Sequence, residues 1–370
     1  MKNIKVYLRY PFKVSDSQYY RSLIENPPKD ITYLFNVKKI GMVTNKIKFY
    51  FLNFLKRSIR YWLKLLNLPI PNAYKTVSKK DYDLIHCAHC LSKNENKPWV
   101  ADFESWWQMW ISGRDTKMGI SKVRKILLNK NCKKILPWTE QAKKDILARF
   151  PEIEDKVEVV YFAQPFKKFK KIKTGEIRLL FISRYFYDKG GLHALEAMDR
   201  LTKKYENVKA MIISETPEKI IRKYSMNKKI SFRGLTPHDK IIKEIFPSTD
   251  IYIYPGYSDT FGFTFTEAMS FGVPVVTIDG FARKEIIENE KTGFVITRPK
   301  SFGIKDLVIK NEEIVNELVK TTSNLIENKK LLKKMSKNCI KEVRDGKFSL
   351  KERNKKLRKI YEETFINQKN

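Results

Sequence analysis

Several common signposts are missing from this chain of 370 residues. There are only four cysteines (Cys87, Cys90, Cys132 and Cys339), too few and too scattered for a disulfide framework. No signal-peptide pattern precedes them, so a reduced, cytoplasmic setting is expected. No uninterrupted apolar run approaches the roughly 20 residues that a membrane-spanning helix needs. Acids are also scarce, with 41 against 74 lysines and arginines and a formal charge of +33. A surface this basic is drawn to polyanions such as nucleic acid, anionic lipid or phosphorylated substrates. Charge alone does not choose among them.

What is present suffices for two packed cores, since length implies about two domains and apolar content is ordinary at 42%. Lys5 to Arg9 reads as a first strand, although no glycine-rich turn follows it. Lys46 to Leu66 reads as an amphipathic helix. Leu52, Leu55, Ile59, Trp62 and Leu66 fall on one face, and Lys46, Asn53, Arg57, Arg60 and Lys64 on another. Such a helix suits an anionic membrane surface; docking of its apolar stripe on a domain core is the alternative. Asp83 to His89 and Lys97 to Glu104 read as buried strands, and Val157 to Phe162 closes the first domain. His86, Cys87, His89 and Cys90 are too close together to close a tetrahedral metal site easily, so no metal is expected there. Trp106, Trp107 and Trp110 suit stacking on sugars, contact with lipid, or packing across a domain boundary.

The lysine-dense segment from Phe166 to Lys173 reads as a solvated linker. Beyond it, strands near Ile177–Ser183, Val208–Ile213, Lys229–Phe232, Asp250–Tyr254 and Val273–Thr277 alternate with helices. That alternation implies a mostly parallel sheet covered on both faces, with ligands gathering at the carboxyl ends of its strands. Arg184 and Lys189 follow the first of these strand ends, with Gly190 and Gly191 permitting a tight turn, a pattern able to clamp a diphosphate.

The most informative stretch runs from Tyr252 to Ile296. A buried strand ends at Pro255, a helix opens near Thr264, and Asp259 and Glu267 lie eight positions apart around Phe261-Gly262-Phe263. Gly262 allows close backbone approach, and a helix start is an anion site through its unpaired N–H groups and dipole. Taken singly, Asp259 also suits an N-cap and Glu267 a solvated helix position.

An acid followed by x-Phe-Gly, Glu-Ala-Met and Gly-x-Pro-Val-Val resembles the signature of glycosyltransferase family 4, the retaining group 1 glycosyltransferases. The family pattern is Glu-x7-Glu, and Asp259 is one methylene shorter. Arg184 and Lys189-Gly190 match the family's Arg-x4-Lys-Gly motif. The resemblance implies an α/β chain of GT-B architecture, two Rossmann-like domains facing each other across a cleft. The expected divisions are 1–165, a linker 166–176, a nucleotide-sugar domain 177–345, and a helix 346–370 returning to the first domain.

By the same resemblance, Arg184 and Lys189 would hold the donor's diphosphate and Glu267 its ribose. Asp259 would hold the sugar, and Phe261, Gly262, Phe263 and Thr264 would hold phosphate and sugar. Arg233 to Leu235 would border the base. Asp259 and Glu104 are the expected catalytic residues, Glu104 standing where many relatives carry a histidine. The implied reaction moves a hexose from a UDP- or GDP-sugar to a glycan or lipid-linked hydroxyl, with retention and without a metal or cofactor. It would run in the cytoplasm, or peripherally on the inner face of the plasma membrane, with Lys46–Leu66 on anionic lipid and no nucleic-acid partner. A GT-B sugar epimerase or phosphorylase, or a non-catalytic binder of anionic membrane or nucleic acid, is the alternative. Asp102-Phe103-Glu104 and Asp81-Tyr82-Asp83 mimic the Asp-x-Asp metal motif of another glycosyltransferase fold.

Overall fold

The computed structural model describes residues 3–9, 18–35, 46–66, 68–78, 80–111, 116–172, 175–256, 259–303, 306 and 308–366. It comprises two compact units. The first holds residues 1–163 and 350–370, the second 164–349.

In the first unit five strands pair in parallel in the order Ile31–Leu34, Ile4–Arg9, Leu84–Ala88, Trp99–Phe103 and Cys132–Pro137. The central strands Leu84–Ala88 and Trp99–Phe103 are buried along their whole length, as strands covered on both faces must be. Helices Gln18–Glu25, Lys117–Leu127 and Glu140–Leu147 belong to this unit, as does the last helix, Leu350–Ile366. Thr116 and Thr139 cap two of these helices by accepting from the amides of Gly119 and Ala142, which satisfies otherwise orphaned donors. The last helix is tied in by the buried Arg353, which donates to Ser22 Oγ at 2.8 Å and to the carbonyl of Asn26 at 2.6 Å.

Val157 to Phe162 closes the first part of this unit, which ends at Ala163, without forming a strand. It makes an isolated parallel bridge, Ile135 to Val157. The amides of Glu158 and Val160 donate to Ile135 and Pro137, but no ladder continues past Pro137. The tryptophans are also local. Trp110 is buried and stacks on Phe150 at 6.0 Å, while Trp106 packs edge-on to Trp110 and lies 3.5 Å beneath the Arg149 guanidinium. Trp106 and Trp110 therefore contribute to this unit's own core.

Helix Lys46–Leu65 holds the expected range; Leu52 of the expected apolar face lies outside the described side chains, and apart from half-buried Leu63 the apolar side chains described on the helix face outward. Phe51, Phe54, Leu55, Ile59, Tyr61, Trp62 and Leu65 are all exposed, as is Leu66 beyond its end. Docking of the apolar stripe on the core is thus not how these side chains lie.

The second unit has six parallel strands in the order Ile230–Arg233, Val208–Ile213, Ile177–Ile182, Ile251–Tyr254, Val275–Ile278 and Gly293–Ile296. Helices Gly191–Lys204, Glu218–Tyr224, Phe263–Ser270, Glu312–Glu327 and Lys329–Arg344 connect or cover them. The strand order reverses between Ile177–Ile182 and Ile251–Tyr254, the place where open parallel sheets bind ligands. In the lysine-rich segment Lys167, Lys168 and Lys170 are exposed, as a solvated linker requires, while three contacts anchor it. Phe169 packs on Phe271 at 4.9 Å, and Ile172 donates to Pro247. Lys171 pairs with Asp250 at 3.4 Å, and burial lowers its pKa.

Candidate functional site

Strands Ile177–Ile182 and Ile251–Tyr254 are neighbours, so the loops leaving their carboxyl ends are adjacent. Glycine lets these loops touch. A Cβ added at Gly190 (φ +73°) would lie 2.9 Å from the Pro255 backbone, and one at Gly256 would lie 2.8 Å from Lys189 Cα. Neither position has room for a side chain, and the contact carries Lys189 to the second loop.

There Lys189 Nζ meets Asp259 Oδ1 at 2.5 Å. The other carboxylate oxygen, Oδ2, accepts from Tyr254 Oη at 2.7 Å and from Arg283 Nη2 at 3.3 Å. Asp259 is therefore no N-cap. That place belongs to Gly262 (φ +82°), which opens helix Phe263–Ser270 without a side-chain cap. The start of an α-helix carries positive potential, and although the Phe265 amide turns back to the Gly262 carbonyl, the Lys189–Asp259 pair adjoins that helix start. Burial pushes the Tyr254 phenol well above its usual pKa, and the Asp259 charge adds to this. Tyr254 therefore remains a hydrogen-bond donor at neutral pH. Burial lowers the pKa of Arg283 and Asp259 opposes that shift, but a guanidinium stays charged in either case.

Glu267 lies one turn into the helix and is buried, not solvated. Its Oε1 is 2.6 Å from His238 Nε2. His238 begins the helical segment after Arg233-Gly234-Leu235, the loop expected at the base, and so brings that loop's end to the second carboxylate.

Of the other residues expected here, Arg184 is half-buried just past strand Ile177–Ile182. Phe261 is fully buried, its ring packed against Phe263 and Phe348, so the backbone is the part of it available to a ligand. Thr264 Oγ1 accepts from Tyr252 Oη at 3.2 Å. Arg184, Lys189, Asp259, Gly262, Thr264 and Glu267 thus occupy one end of a single sheet. A cavity of about 690 Å³ lined by Glu196, Lys223, Tyr224, Asn227 and Lys310 shares none of these residues.

Arg283 and His238 also face these two carboxylates, and no sequence motif singles them out. Arg283 is one cation among 74, and nothing in its spacing marks it. His238 carried a faint signal, being one of only four histidines and three positions beyond a loop already assigned to the nucleotide.

Glu104 belongs to the first unit, where its amide donates to Gln108 Oε1 at 2.9 Å and its side chain is half-buried. The acid two positions earlier is spoken for. Asp102 accepts from Tyr20 Oη at 2.9 Å and from His86 Nε2 at 2.9 Å. Asp83 accepts the Lys5 amide at 2.8 Å. Neither acid-x-acid tripeptide therefore presents two free carboxylates, and no group of three or more metal-binding side chains occurs among the described residues.

The family model described as "Glycosyl transferases group 1" matches residues 163–331, which include Arg184, Lys189, His238, Asp259, Gly262, Thr264, Glu267 and Arg283. An uncharacterized glycosyltransferase of Methanocaldococcus jannaschii is 24% identical over 242 residues, covering 57% of this chain and 61% of that protein. The gpi3 subunit of the phosphatidylinositol N-acetylglucosaminyltransferase of Schizosaccharomyces pombe is 24% identical over 135 residues, covering 35% of this chain and 29% of that protein. The chain thus matches less than two thirds of the length of either.

Solved structures reach further. A glycosyltransferase from Rickettsia africae superposes with a TM-score of 0.61 at 16% identity, covering 98% of both chains. A sucrose-phosphate synthase from Thermosynechococcus elongatus gives 0.64 at 13% identity, covering 99% and 100%. The two parallel α/β units are therefore the Rossmann-like pair of the GT-B fold.

Proposed function

We propose, from the match of residues 163–331 to the group 1 glycosyl transferase model, that this protein transfers a sugar from a nucleoside diphosphate to a hydroxyl acceptor. The carrying observation is the convergence of Lys189, Asp259 and the Gly262 helix start at the switch point of the second sheet. In this reading Arg184, Lys189 and the first amides of helix Phe263–Ser270 bind the diphosphate. Glu267, oriented by His238, binds the ribose. Asp259, with three donors on its carboxylate, is held toward the sugar.

Transfer breaks the bond from the anomeric carbon to the phosphate oxygen, and negative charge grows on the departing diphosphate. Fixed cations and amide dipoles stabilise that charge without reorganising. Lys189 and the helix start supply them, so the reaction proceeds without a bound metal ion. With no side-chain nucleophile assigned, the acceptor attacks from the face the diphosphate leaves, its proton passing to the leaving phosphate, and configuration is retained. Glu104 is proposed on the acceptor side. The sugar is proposed to be a hexose and the nucleotide UDP or GDP.

The test is incubation of purified protein with UDP-, GDP- and ADP-sugars in the presence of EDTA. Release of the nucleoside diphosphate from one of them, with product of unchanged anomeric configuration by NMR, is the expected result. An epimerised donor without release would make the protein an epimerase. Release only after Mn²⁺ or Mg²⁺ is restored would overturn the metal-free reading.

The acceptor is proposed to be a lipid or lipid-linked glycan reached at an anionic membrane face. Between Asp30 and Asp81 the chain has eleven lysines and arginines and no acid. Within that span helix Lys46–Leu65 exposes Phe51, Phe54, Tyr61 and Trp62. Among the described residues no helix is long and apolar enough to cross a membrane, so the contact would be peripheral. Vesicles of phosphatidylglycerol and phosphatidylcholine should bind the protein and release it as salt rises, because surface charge is screened over about 8–10 Å. Equal binding to pure phosphatidylcholine would sink this assignment.

A further inference from the structure

We propose that Arg283 is a positioning residue that frees Lys189 for the donor's diphosphate by sharing the charge of Asp259. The inference rests on the reading of Lys189 as a phosphate ligand and adds a residue that touches no substrate.

Arg283 opens the short helix Arg283–Ile286 and is completely buried. Its guanidinium lies 4.4 Å from the Phe265 ring centre. Nη2 donates to the Gly256 carbonyl and to Asp259 Oδ2. Nε and Nη1 have no hydrogen-bond partner among the described residues. The fold therefore satisfies this guanidinium only in part. A buried charge with an incomplete set of partners calls for a role beyond folding.

The role follows from the division of the Asp259 carboxylate. Oδ1 is held by Lys189 and Oδ2 by Arg283 and Tyr254. Two cations therefore compete for one anion, and they differ in access. The Lys189 side chain is 19% exposed, the Arg283 side chain 0%. An incoming anion can draw on Lys189 alone. Once it does, Asp259 keeps Arg283 and Tyr254, and the 3.3 Å contact from Arg283 has room to shorten. Without Arg283, Lys189 would be the carboxylate's only cation among the described residues, and a phosphate would have to displace the whole ion pair. The same guanidinium holds the Gly256 carbonyl, so it fixes the strand-proximal side of the loop while Lys189 changes partner.

Binding of inorganic pyrophosphate to the full chain, measured by calorimetry at 0.15 M salt, tests this without any transfer reaction. Lys189→Ala should weaken binding. Arg283→Met should weaken it about tenfold although it touches no phosphate, within the range for coupled neighbours, and Arg283→Lys should restore most of the loss. Asp259→Asn should tighten binding, because the internal competitor for Lys189 is gone. In the Asp259→Asn background Arg283→Met should matter less than about threefold, since Lys189 then has no carboxylate whose charge Arg283 could share.

An equal loss in both backgrounds would mean that Arg283 acts by packing or bulk charge, and no loss in either would mean that it has no role; both overturn the proposal. If Arg283→Met does not fold, Arg283→Lys and Asp259→Asn decide, and Asp259→Asn binding no tighter than wild type overturns it. Should Lys189→Ala leave pyrophosphate affinity unchanged, the phosphate-site reading falls as well. A Lys189 effect without an Arg283 effect removes only the present inference.

Discussion

Asp102 and Asp259 are both acids near the carboxyl ends of parallel strands, one in each unit, and they are held in opposite ways. Asp102 is fully buried and its partners are part of the core: Tyr20, His86 and the amide of His89. His86 in turn meets Tyr361 Oη at 2.6 Å, and Tyr361 meets Tyr33 at 3.0 Å, so a single hydrogen-bonded chain ties the last helix to the first sheet. Asp259 is 22% exposed, and one of its partners, Lys189, has a long and partly exposed side chain. A carboxylate whose partners cannot leave is part of the fold. One whose partner can be drawn off by a ligand is able to take part in binding.

That contrast is broken most severely by removing the first acid. Asp102→Ala should cost about 3–5 kcal/mol of stability, the range for stripping one member from a buried charged network. Urea unfolding should show the loss. Acid should act on the same group. Burial alone would raise the Asp102 pKa, but the hydrogen bond and charge of His86, with His89 and Tyr20, hold it below the usual carboxylate value. A depressed folded pKa contributes stability that is fully present above the unfolded value of about 3.9 and disappears as pH falls through the folded one. Unfolding below about pH 4 should therefore be less steep in Asp102→Asn than in wild type.

Lys189→Ala is the counterpart in the second unit. It should slow transfer by roughly 3–4 kcal/mol, the scale for losing an oriented donor to developing charge. The melting temperature should change little, because a partly exposed ion pair contributes at most about 1 kcal/mol. A large fall in melting temperature with normal turnover would erase the distinction between the two acids. Tyr361→Phe sharpens it with a smaller effect. The chain to His86 and Tyr33 is cut at about 1–2 kcal/mol of stability, while nucleotide affinity should remain that of wild type.

The second unit was more legible in the sequence than the first. Five of its six strands lie close to the expected positions because short apolar runs ended by polar turns leave little choice of boundary, as at Val208–Ile213; the sixth, Gly293–Ile296, is too short to show a period. In the first unit Ile31–Leu34 gave no signal of its own. Four residues are too few to show a period, and its place comes from pairing with Ile4–Tyr7. Val157–Phe162 has a strand's composition, but only Val157 forms a bridge to the edge strand Cys132–Pro137. The candidate site was half legible. Arg184, Lys189, Asp259 and Glu267 stand in a motif whose spacing could be read, and the structure gathers them at one end of one sheet. Arg283 and His238 reach that place through tertiary contacts 24 and 29 residues distant in sequence. No local pattern records such contacts. The exposed face of helix Lys46–Leu65 was equally hidden, because amphipathicity tells which residues share a face and not what covers it.

The central claim is that the second unit binds the nucleoside diphosphate of a sugar donor through Lys189 and Glu267. Calorimetric titration of wild type, Lys189→Ala and Glu267→Gln with UDP, GDP and ADP tests it most directly. The account predicts that one nucleotide binds wild type, that Lys189→Ala weakens it through the lost phosphate contact, and that Glu267→Gln weakens it through the lost ribose contact, with both variants folded. Binding of that nucleotide with wild-type affinity to both folded variants, or no binding of any of the three to wild type, would contradict it.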